Sequence, residues 1–431
     1  MTILHVGIDD TDSKKGMCTT YLTAVILDEL EKLNIKPIDF PKLVRLNPNC
    51  PYKTRGNAAL SFSLQIDEEK VHTIKKLVLE KVKQYADLKE KGTDPGIAFL
   101  RGQIPRRLTD FSRRAIYEIL TIKEAIQLSQ DIGAELYRFK YGRGIIGALA
   151  AIGSNLERYN TFELITYRLP KNRGTKRNID LQSVIEMDKL TFPYTFDNID
   201  YESKEIRIAP HTPCPILFGI RGTNPKILLD AMAMVNPNET IETYRIFISN
   251  QGTDAHIQKS SISEVKVNSS ARIRGFVYSP PMIKNGGHVF FQLKDQTGII
   301  SCAAFEPTKD FRKVILALSV GDEIEVFGSI KKKAGFPVTL NLEKIYVYKL
   351  TQVVKILNPL CPNCNSRMKS EGRGKGYECR KCRFRIKHAE KQKIVLPRKL
   401  VEGLYAVPSR ARRHLSKPIV LVDEICNNSM S

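Results

Sequence analysis

Tryptophan is absent from this 431-residue chain, so any stacking on a nucleobase falls to tyrosine, phenylalanine, histidine or arginine. No stretch approaches the ~18 uninterrupted apolar residues of a membrane-spanning helix, and no basic leader precedes an apolar run at the amino terminus. Acidic residues are scarce beside basic ones, with 46 aspartates and glutamates against 68 lysines and arginines. We therefore expect a soluble, cytoplasmic protein that has no membrane partner.

The basic excess gives the chain a formal net charge of +22. A soluble protein this basic usually binds a polyanion, and nucleic acid is the first candidate. Hydrophobic residues make up 42% of the chain, which is enough for ordinary cores. The length suits about three domains of ~150 residues each. The composition therefore predicts a folded multidomain protein that binds nucleic acid.

Three carboxylates stand at the end of the first apolar strand, in the stretch VGIDDTDSKKGMCTTYL (6–22). Asp9, Asp10 and Asp12 are hard oxygen ligands of the kind that magnesium takes beside nucleotide phosphates. Thr19 and Thr20 then open a stretch with helical spacing, and the N–H groups of a helix N-terminus bind phosphate. The pattern favours nucleotide chemistry, with an acidic turn and a threonine-capped helix as the simpler alternative.

A second candidate phosphate site precedes the alternating strand at 58–66. There Lys53, Arg55, Gly56 and Asn57 can lay cationic side chains and backbone against a polyphosphate. A basic hairpin turn is the alternative. The glycines of the segment at 141–155 are not followed by a proper βαβ unit with an acid ~20 residues on, so we reject a dinucleotide-binding fold there. We expect its small residues to allow close backbone packing beside the acidic loop.

The next two regions predict two smaller domains. Strands and helices alternate over 156–261, which favours a ferredoxin-like α+β domain. Its loops at 209–225 and 248–256 are either ligand loops or ordinary turns. Residues 262–350 contain five strands with a helix near 309–318, the order of an OB-fold that binds single-stranded nucleic acid or tRNA. OB-folds also bind proteins, and the positive charge favours nucleic acid here.

The OB-fold region carries basic and aromatic residues that would contact RNA. They are Arg272, Arg274, Phe276, Phe291, Lys331, Lys332 and Lys333. Beyond 350 the chain is more basic still, and we expect the last region to clamp nucleic acid. The predicted contacts there are Arg373, Lys375, Arg383, Arg410, Arg412 and Arg413. A solvated basic tail is the alternative.

Two CxxC pairs, Cys361–Cys364 and Cys379–Cys382, predict a zinc ribbon. Tetrahedral zinc takes four thiolates, and each CxxC supplies two of them from one tight turn. Because four cysteines leave no open coordination position, the zinc is structural. The other five cysteines are scattered without pairing logic, which fits a reducing compartment; they are Cys18, Cys50, Cys214, Cys302 and Cys426.

Taken together, these regions and their unusual strings resemble the archaeal tRNA(Ile) agmatidine synthetase family, also called agmatinylcytidine synthetases, over essentially the whole chain. The strings are GIDDTDSKKGMCTTYL, RLNPNCPYKTRGN, GIIGALAAIG, FELITYR, LFGIRG and NQGTDAH. The resemblance implies a multidomain α/β and α+β fold. Its parts would be a kinase-like ATP-binding catalytic domain (1–155), a ferredoxin-like domain (156–261), an OB-fold β-barrel (262–350), and a zinc ribbon with a basic tail (351–431).

The resemblance also implies an activity. The family joins agmatine to carbon-2 of the cytidine at the first anticodon position of a minor isoleucine tRNA, so that the tRNA reads AUA. ATP is split to AMP and pyrophosphate-derived products, the cytosine oxygen is activated by phosphorylation, and the agmatine amine displaces the phosphate. Asp9, Asp10 and Asp12 would then hold magnesium, Arg221 would join the phosphate cradle, and Thr19 would be autophosphorylated.

On the same resemblance, agmatine lies between the first two domains. The implied contacts are His211, Pro213, Cys214, Gly219, Asn250, Gln251, Gly252 and Asp254, of which Asp254 is the best single acid for the guanidinium. Cys214 departs from the family, where an acid often precedes the Pro-apolar-Leu-Phe-Gly string. The expected cofactors are ATP, magnesium and structural zinc, and the protein is expected to be a monomer.

Two other functions compete with this one. The first is a non-catalytic protein that binds tRNA or single-stranded nucleic acid through the OB-fold and ribbon. The second is a metal-dependent nuclease that uses the three aspartates, and it is disfavoured because they share one short loop with no histidine or glutamate nearby. Only the ligase predicts that Asp9→Ala or Asp12→Ala abolishes activity while leaving tRNA affinity nearly intact.

Overall fold

A computed structural model describes residues 1–54, 56–156 and 160–422. Arg55 and Cys426 lie outside the described residues. The N-terminal region begins with an apolar strand and continues with the two helices that its periodicity predicts. Its strands are β1 (Thr2–Asp9), β2 (Lys42–Arg45), β3 (Ala58–Ile66), β4 (Gly96–Arg101) and β5 (Glu135–Arg138), and its helices are α1 (Thr19–Lys32), α2 (Lys70–Tyr85), α3 (Arg106–Tyr117), α4 (Ile122–Ile132) and α5 (Ile145–Gly153).

The second region continues the sheet of the first. Its elements are β6 (Thr161–Arg168), α6 (Leu181–Thr191), β7 (Thr195–Phe196), β8 (Ile199–Asp200), β9 (Glu205–Ile206), β10 (Ile216–Gly222), α7 (Pro225–Met234) and β11 (Ile241–Ser249). One nine-stranded sheet runs in the order β5-β4-β1-β3-β2-β11-β6-β10-β7. The junction is a parallel pair, with Lys42 of β2 opposite Ile248 of β11. The two regions are therefore joined by backbone hydrogen bonds and not by a linker alone.

Helix α5 lies unusually close to the strands that carry the acidic loop. A Cβ on Gly7 of β1 would come within 2.1 Å of the Ala148 carbonyl oxygen, and one on Gly96 of β4 within 1.9 Å of the Ile145 nitrogen. No side chain fits into such gaps, so glycine is required at both positions. The expectation that the small residues of 141–155 allow close packing beside the acidic loop is confirmed.

Two sequence expectations differ from the structure. The stretch 121–139 is helical only to Ile132, because Gly133 takes a left-handed conformation (φ +69°) that ends α4. Residues 135–138 then form the edge strand β5 against β4. The turn-rich segment 209–225 contains strand β10, which pairs with β6. Proline-rich flanks hid this strand, whereas its pairing partner is distant in sequence.

The third region is the predicted OB-fold. Its elements are β12 (Ile257–Lys259), β13 (Ser270–Lys284), β14 (His288–Lys294), β15 (Ile299–Ala304), α8 (Asp310–Leu316), β16 (Glu323–Lys331) and β17 (Thr339–Lys349). Pairing of β13 with both β14 and β16 closes the barrel. Alternate residues of β13 point into one apolar core, which agrees with the alternating sequence pattern.

A two-stranded arm carries the ribbon away from the barrel. It pairs β18 (Val353–Leu357) with β22 (Gln392–Leu396), and the ribbon between them has β19 (Lys369–Ser370), β20 (Tyr377–Glu378) and β21 (Arg385–Ile386). The chain then returns, and β23 (Gly403–Ala406) adds to β17 of the barrel. Among the described residues, each helix is too short or too polar to cross a bilayer.

Candidate active site

A cavity of about 250 Å³ opens between the N-terminal region, the ferredoxin-like region and the C-terminal segment. Strand β1 and helix α1 bring the acidic loop to it, and β2, β6 and β10 of the shared sheet bring basic and acidic side chains. The last contribution comes from His414, which lies far along the chain. Long-range β pairing therefore builds one cavity from distant segments.

The acidic loop supplies adjacent carboxylates that burial keeps from ionising freely. Burial and the neighbouring charge of Asp10 raise the pKa of Asp9 well above its ordinary value. Burial raises the pKa of Asp10 to about 7, although hydrogen bonds from the Thr54 hydroxyl (3.0 Å) and the Asp94 amide (3.1 Å) favour its charged form. A cation bound between these carboxylates would offset both the cost of burying their charge and the repulsion between them.

The carboxylate oxygens of these aspartates suit magnesium, but in this structure the three side chains do not converge closely enough to bind one ion together. Within the described parts of the chain, the four ribbon cysteines are the one group of three or more metal-ligating side chains whose ligand atoms lie within 4.8 Å of one another. Asp9, Asp10 and Asp12 all line the cavity. Magnesium usually takes one or two carboxylates together with phosphate oxygens and water, so this arrangement suits a metal that arrives with a nucleotide.

Thr19 begins helix α1 at the edge of the same cavity. Thr19 is 4% exposed, and its hydroxyl accepts a hydrogen bond from the Thr11 hydroxyl at 3.2 Å. The Thr19 backbone oxygen accepts from Thr23, which fixes the first helical turn. A hydroxyl thus stands beside the acidic loop, as the family resemblance implies.

A cationic group defined by Arg45, Lys53, Arg207 and Arg221 also lines the cavity. Glu163 of β6 lies among them, with its carboxylate 3.7 Å from Arg45 Nη2 and 3.4 Å from Arg221 Nε. Glu205 pairs with Arg207 at 3.1 Å, and these two carboxylates still leave the four cations with a surplus of positive charge. Such a surface attracts phosphate, and arginine binds phosphate oxygens through its fork of N–H donors.

Sequence reasoning missed several of these side chains. Arg45 ends strand β2 and Glu163 lies within β6, and a charged residue beside the buried apolar positions of a strand is the signal that would have found them. Tyr52 and Arg143 also line the cavity, with the Arg143 guanidinium 4.2 Å from the Tyr52 ring centre. His414 gave no local signal because only the fold brings it here.

The predicted phosphate cradle lies at the cavity. Lys53, Gly56, Asn57 and Arg221 all line it, while Arg55 lies outside the described residues. A Cβ on Gly56 would come within 2.6 Å of Arg45 Nη1, so a larger residue there would displace the Arg45 guanidinium. Phosphate binding by these residues stays a prediction, supported by their common location.

Most of the expected agmatine contacts lie elsewhere, and Gly219 alone among them lines the cavity. His211 and Pro213 are exposed, and His211 contacts Glu205 at 3.2 Å. Cys214 is 1% exposed and its backbone oxygen accepts a hydrogen bond from Arg177 at 2.9 Å. The structure therefore does not bring these side chains to the cavity.

The loop at 250–254 is used inside the protein. Asn250 exchanges hydrogen bonds with the backbone of Arg45 (2.8 and 2.9 Å), and Gln251 donates to Glu163 at 2.5 Å. Asp254 pairs with the buried Lys344 of the OB-fold. Its carboxylate is already paired there, so this contact does not support the expectation that Asp254 holds the agmatine guanidinium, which stays a prediction. Gly252 and Asp254 instead bind the C-terminal segment through their backbone N–H groups.

The four predicted zinc ligands converge as expected. The Sγ atoms of Cys361 and Cys382 are 3.4 Å apart, and those of Cys364 and Cys379 are 3.3 Å apart. Four sulfurs this close fit a tetrahedral site with Zn–S bonds of about 2.3 Å. None of the eight described cysteines forms a disulfide.

The predicted RNA contacts of the OB-fold divide into exposed and buried residues. Arg272, Lys332 and Lys333 are exposed, and the Arg274 guanidinium stacks on Tyr348 at 3.9 Å while pairing with Glu323. Lys331 donates to the Asn49 backbone and to Asn268. Phe291 is 2% exposed in the barrel core and cannot stack on a base, whereas Phe276 is 54% exposed.

The basic residues after the barrel divide in the same way. Arg373, Lys375 and Arg383 are exposed on the ribbon. The three arginines of the tail instead form ion pairs within the protein, in which Arg410 pairs with Asp200 and Glu202, Arg412 with Asp197, and Arg413 with Glu343. Their role in tRNA binding stays a prediction, and these internal ion pairs do not support it because carboxylates of the protein already neutralise the three charges.

Comparison with protein-family models accounts for nearly all of the chain. The TiaS TCKD domain matches residues 5–141 and the TiaS FLD domain matches 142–256. An OB-fold nucleic acid binding domain matches 271–348, and the TiaS C-terminal zinc ribbon domain matches 358–400. The order of the matches is the order of the regions described above.

Relatives and solved structures match the chain at full length. The isoleucine-tRNA 2-agmatinylcytidine synthetase TiaS of Thermococcus sibiricus is 45% identical over 421 residues, covering 98% of this chain and 96% of that protein. The enzyme of Methanocaldococcus jannaschii is 43% identical over 431 residues, covering 99% and 100%. The crystal structure of TiaS with isoleucine tRNA and ATP is 43% identical with a TM-score of 0.89, and that of TiaS with isoleucine tRNA, AMPCPP and agmatine is 40% identical with a TM-score of 0.86; both cover 97% of each chain.

Proposed function

The chain belongs to the isoleucine-tRNA 2-agmatinylcytidine synthetase family, and we propose from its cavity how it carries out the family reaction. The enzyme uses ATP to ligate agmatine to carbon-2 of the cytidine at the first anticodon position of a minor isoleucine tRNA. The observation that carries this function is one cavity in which the buried acidic loop, Thr19 and a cationic group meet. Removing carboxylate charge from water costs free energy, and RNA binding alone gives no reason to place three carboxylates in this cavity.

The chemistry explains why both kinds of charge are needed. Carbon-2 of cytosine carries a urea-type oxygen, which is a poor leaving group until ATP phosphorylates it. The agmatine amine then attacks carbon-2, and the oxygen leaves as phosphate, so that the net change at the base is gain of agmatine and loss of water. Phosphoryl transfer proceeds by positioning and by neutralising charge on the transferred group. The cationic group supplies that neutralisation.

Asp9, Asp10 and Asp12 take the metal-facing roles in this proposal. When bound, magnesium would neutralise and orient the ATP phosphates. Lys53, Gly56, Asn57 and Arg221 face the phosphates, and Arg55 belongs to the same stretch of sequence. Agmatine occupies the same cavity beside Gly219, and the cytidine must leave the anticodon stack to enter it.

Thr19 is the proposed site of autophosphorylation. Its hydroxyl is fixed by Thr11 beside the acidic loop, which is the geometry that a phosphoryl acceptor needs. Intact-mass measurement after incubation with ATP tests this proposal. We expect one added phosphate on the wild type and none on Thr19→Val, and an identical mass for both would contradict it.

The domains divide the work between catalysis and tRNA binding in this proposal. Residues 1–155 and 156–261 form the catalytic half, while the OB-fold of 262–350 and the ribbon and tail of 351–431 hold tRNA. The enzyme is a cytoplasmic monomer in this proposal, and sedimentation with and without tRNA measures that state.

Mass spectrometry of nucleosides tests the function itself. A minor isoleucine tRNA transcript is incubated with the protein, ATP, magnesium and agmatine, and each component is omitted in turn. We expect one cytidine to be replaced by a species heavier by agmatine less water, only in the complete mixture. A transcript that binds tightly but stays unmodified with agmatine and with a panel of other polyamines would favour the RNA-binding alternative.

A further inference from the structure

The chain returns to the catalytic cavity after the zinc ribbon. Strand β23 adds to the barrel, and the residues that follow, 408–417, form what we call the return segment. Arg410 pairs with Asp200, and Arg412 pairs with Asp197, so both arginines anchor the return segment on the ferredoxin-like region. The return segment is therefore a fixed part of the fold and not a solvated tail.

The loop at 250–254 is the receptor for this segment. The Gly252 N–H donates to the His414 carbonyl at 2.8 Å, and the Asp254 N–H donates to the Leu415 carbonyl at 2.8 Å. The Asp254 carboxylate accepts from the Lys417 amide at 2.7 Å. Gly252 and Asp254 both have left-handed backbones (φ +65° and +60°), which turns their N–H groups toward the segment. Three hydrogen bonds thus set the position of His414.

His414 places its imidazole in the cavity wall. Its Nδ1 lies 2.8 Å from Arg221 Nη2. A guanidinium has only donors, so Nδ1 must be the acceptor and the ring proton of a neutral imidazole must sit on Nε2. The charge of Arg45, with the charges of Arg221 and Lys53, holds the pKa of His414 well below its ordinary value, although the residue itself is exposed to solvent. His414 is accordingly a neutral ring with one N–H donor.

That donor lies beside the predicted phosphate cradle. A Cβ on Gly56 would stand 3.7 Å from His414 Nε2, so the ring nitrogen faces the loop that carries Lys53 and Asn57. The cationic group around this nitrogen favours an anion over a dication, whereas agmatine would lie on the Gly219 side of the cavity, where Glu163 Oε1 is 3.3 Å from the position of a Cβ on Gly219. A neutral donor adds a hydrogen bond to an anion at the cationic group without adding a fifth positive charge. The surroundings therefore select a phosphate oxygen as the partner.

We infer that His414 completes the cavity by donating its Nε2–H to a phosphate group bound at the cationic group, and that the return segment exists to deliver it. This inference rests on the proposed function for the identity of the phosphate. Two sources share the chemistry, the triphosphate of ATP and the RNA backbone next to the target cytidine. The experiment separates them by measuring the two ligands independently.

The test compares three substitutions that keep different halves of the ring. His414→Gln carries an amide near the Nε2 position, His414→Asn carries one near the Nδ1 position, and His414→Ala carries neither. Affinity is measured by calorimetry for AMPCPP and, separately, for an anticodon stem-loop. Glu402→Gln, an exposed change on the same C-terminal stretch, is the matched control.

We expect His414→Ala and His414→Asn to weaken one of the two ligands about tenfold or more, and His414→Gln to lose about threefold or less, since a hydrogen bond to a charged group is at stake. A loss for AMPCPP assigns the phosphate to ATP, and a loss for the stem-loop assigns it to RNA. Wild-type affinity of His414→Ala for both ligands would overturn the inference. So would wild-type affinity of His414→Asn, because only the contact with Arg221 would then matter.

Folding and the proposed function are checked separately. Thermal unfolding is recorded for every variant, and if His414→Ala fails to fold, the comparison of Gln with Asn decides alone. Ligation by the wild type is assayed in parallel. Ligand binding that depends on His414, with no agmatine product from the wild type, would overturn the proposed function alone. Ligation by the wild type, with ligand binding that the His414 substitutions leave unchanged, would overturn the inference alone.

Discussion

Gly147 of helix α5 lies directly against Asp9 of the acidic loop. A Cβ placed on Gly147 would stand 1.9 Å from Asp9 Oδ2. The helix therefore fixes one wall of the carboxylate, and the glycine is required for space and not for backbone freedom. The position of the acidic loop depends on this contact.

Gly147→Ala should displace Asp9 and reduce ligation about 100-fold or more, because a shift of about 1 Å at a reacting group can cost that much. Single-turnover ligation measures the effect. Because we assign tRNA binding to the OB-fold and the ribbon, we expect affinity for tRNA to stay at the wild-type value. Asp9→Asn, which removes the charge at nearly constant volume, is the companion variant. Wild-type activity of Gly147→Ala would show that Asp9 needs no fixed position.

Glu343→Gln should destabilise the junction between the OB-fold, the ferredoxin-like region and the return segment. Glu343 is buried beside His256 (3.2 Å) and Arg413 (3.4 Å). Breaking one side of a buried ionic cluster costs about 3 kcal/mol. We expect a lower midpoint of thermal unfolding at pH 7. An unchanged midpoint would show that the cluster contributes nothing to stability.

The pH dependence of that difference has a definite sign. Burial alone would raise the pKa of Glu343, but His256, Arg413 and Lys344 lower it below its ordinary value. A carboxyl with a lowered folded-state pKa contributes stability above its unfolded pKa and loses it as the pH falls through the folded one. The wild type should therefore approach Glu343→Gln in stability as the pH is lowered through that range. A difference that grows toward acid pH would contradict the assignment.

Zinc should be present at one ion per chain by elemental mass spectrometry, since four thiolates converge in the ribbon. Cys379→Ser should lose the ion and unfold the ribbon, because structural zinc supplies much of the folding energy of such small modules. We expect tRNA affinity to fall while AMPCPP binding persists. A variant that retains zinc and wild-type tRNA affinity would contradict this role.

Charge removal should separate the exposed basic residues from the paired ones. Replacing Arg272, Lys332 and Lys333 together by alanine should reduce the slope of log affinity for tRNA against log salt by roughly 2, at ~0.7 for each phosphate contact. Arg412→Ala removes a charge that Asp197 already neutralises. It should leave the salt slope unchanged and lower the unfolding midpoint instead. Equal slopes for both variants would contradict this division.

The sequence predicted much of the fold because local patterns were strong. Strand β1, helix α1, the OB-fold and the zinc ribbon follow from periodicity, turn residues and cysteine spacing. Strand β10 was missed because its prolines and glycines indicate a turn, whereas its pairing with β6 is a long-range effect. The shared nine-stranded sheet was beyond sequence reasoning for the same reason.

The site was predicted where one segment carries it and missed where distant segments meet. Asp9, Asp10, Thr19 and Lys53 lie close to strong local motifs and do line the cavity. Asp254 looked like a free ligand acid in a polar loop, but its partner Lys344 is 90 residues away. Loop composition shows that a residue can bind, and only the fold shows what it binds.

Measuring ligation and tRNA affinity side by side for Asp10→Asn tests most directly whether this cavity carries the chemistry. Asp10 lies in the cavity, held by Thr54 and the Asp94 amide, and far in sequence from the domains assigned to tRNA. We predict that ligation by this variant falls below detection while its dissociation constant for tRNA stays at the wild-type value. Undiminished ligation by Asp10→Asn would contradict the placement of the chemistry in this cavity.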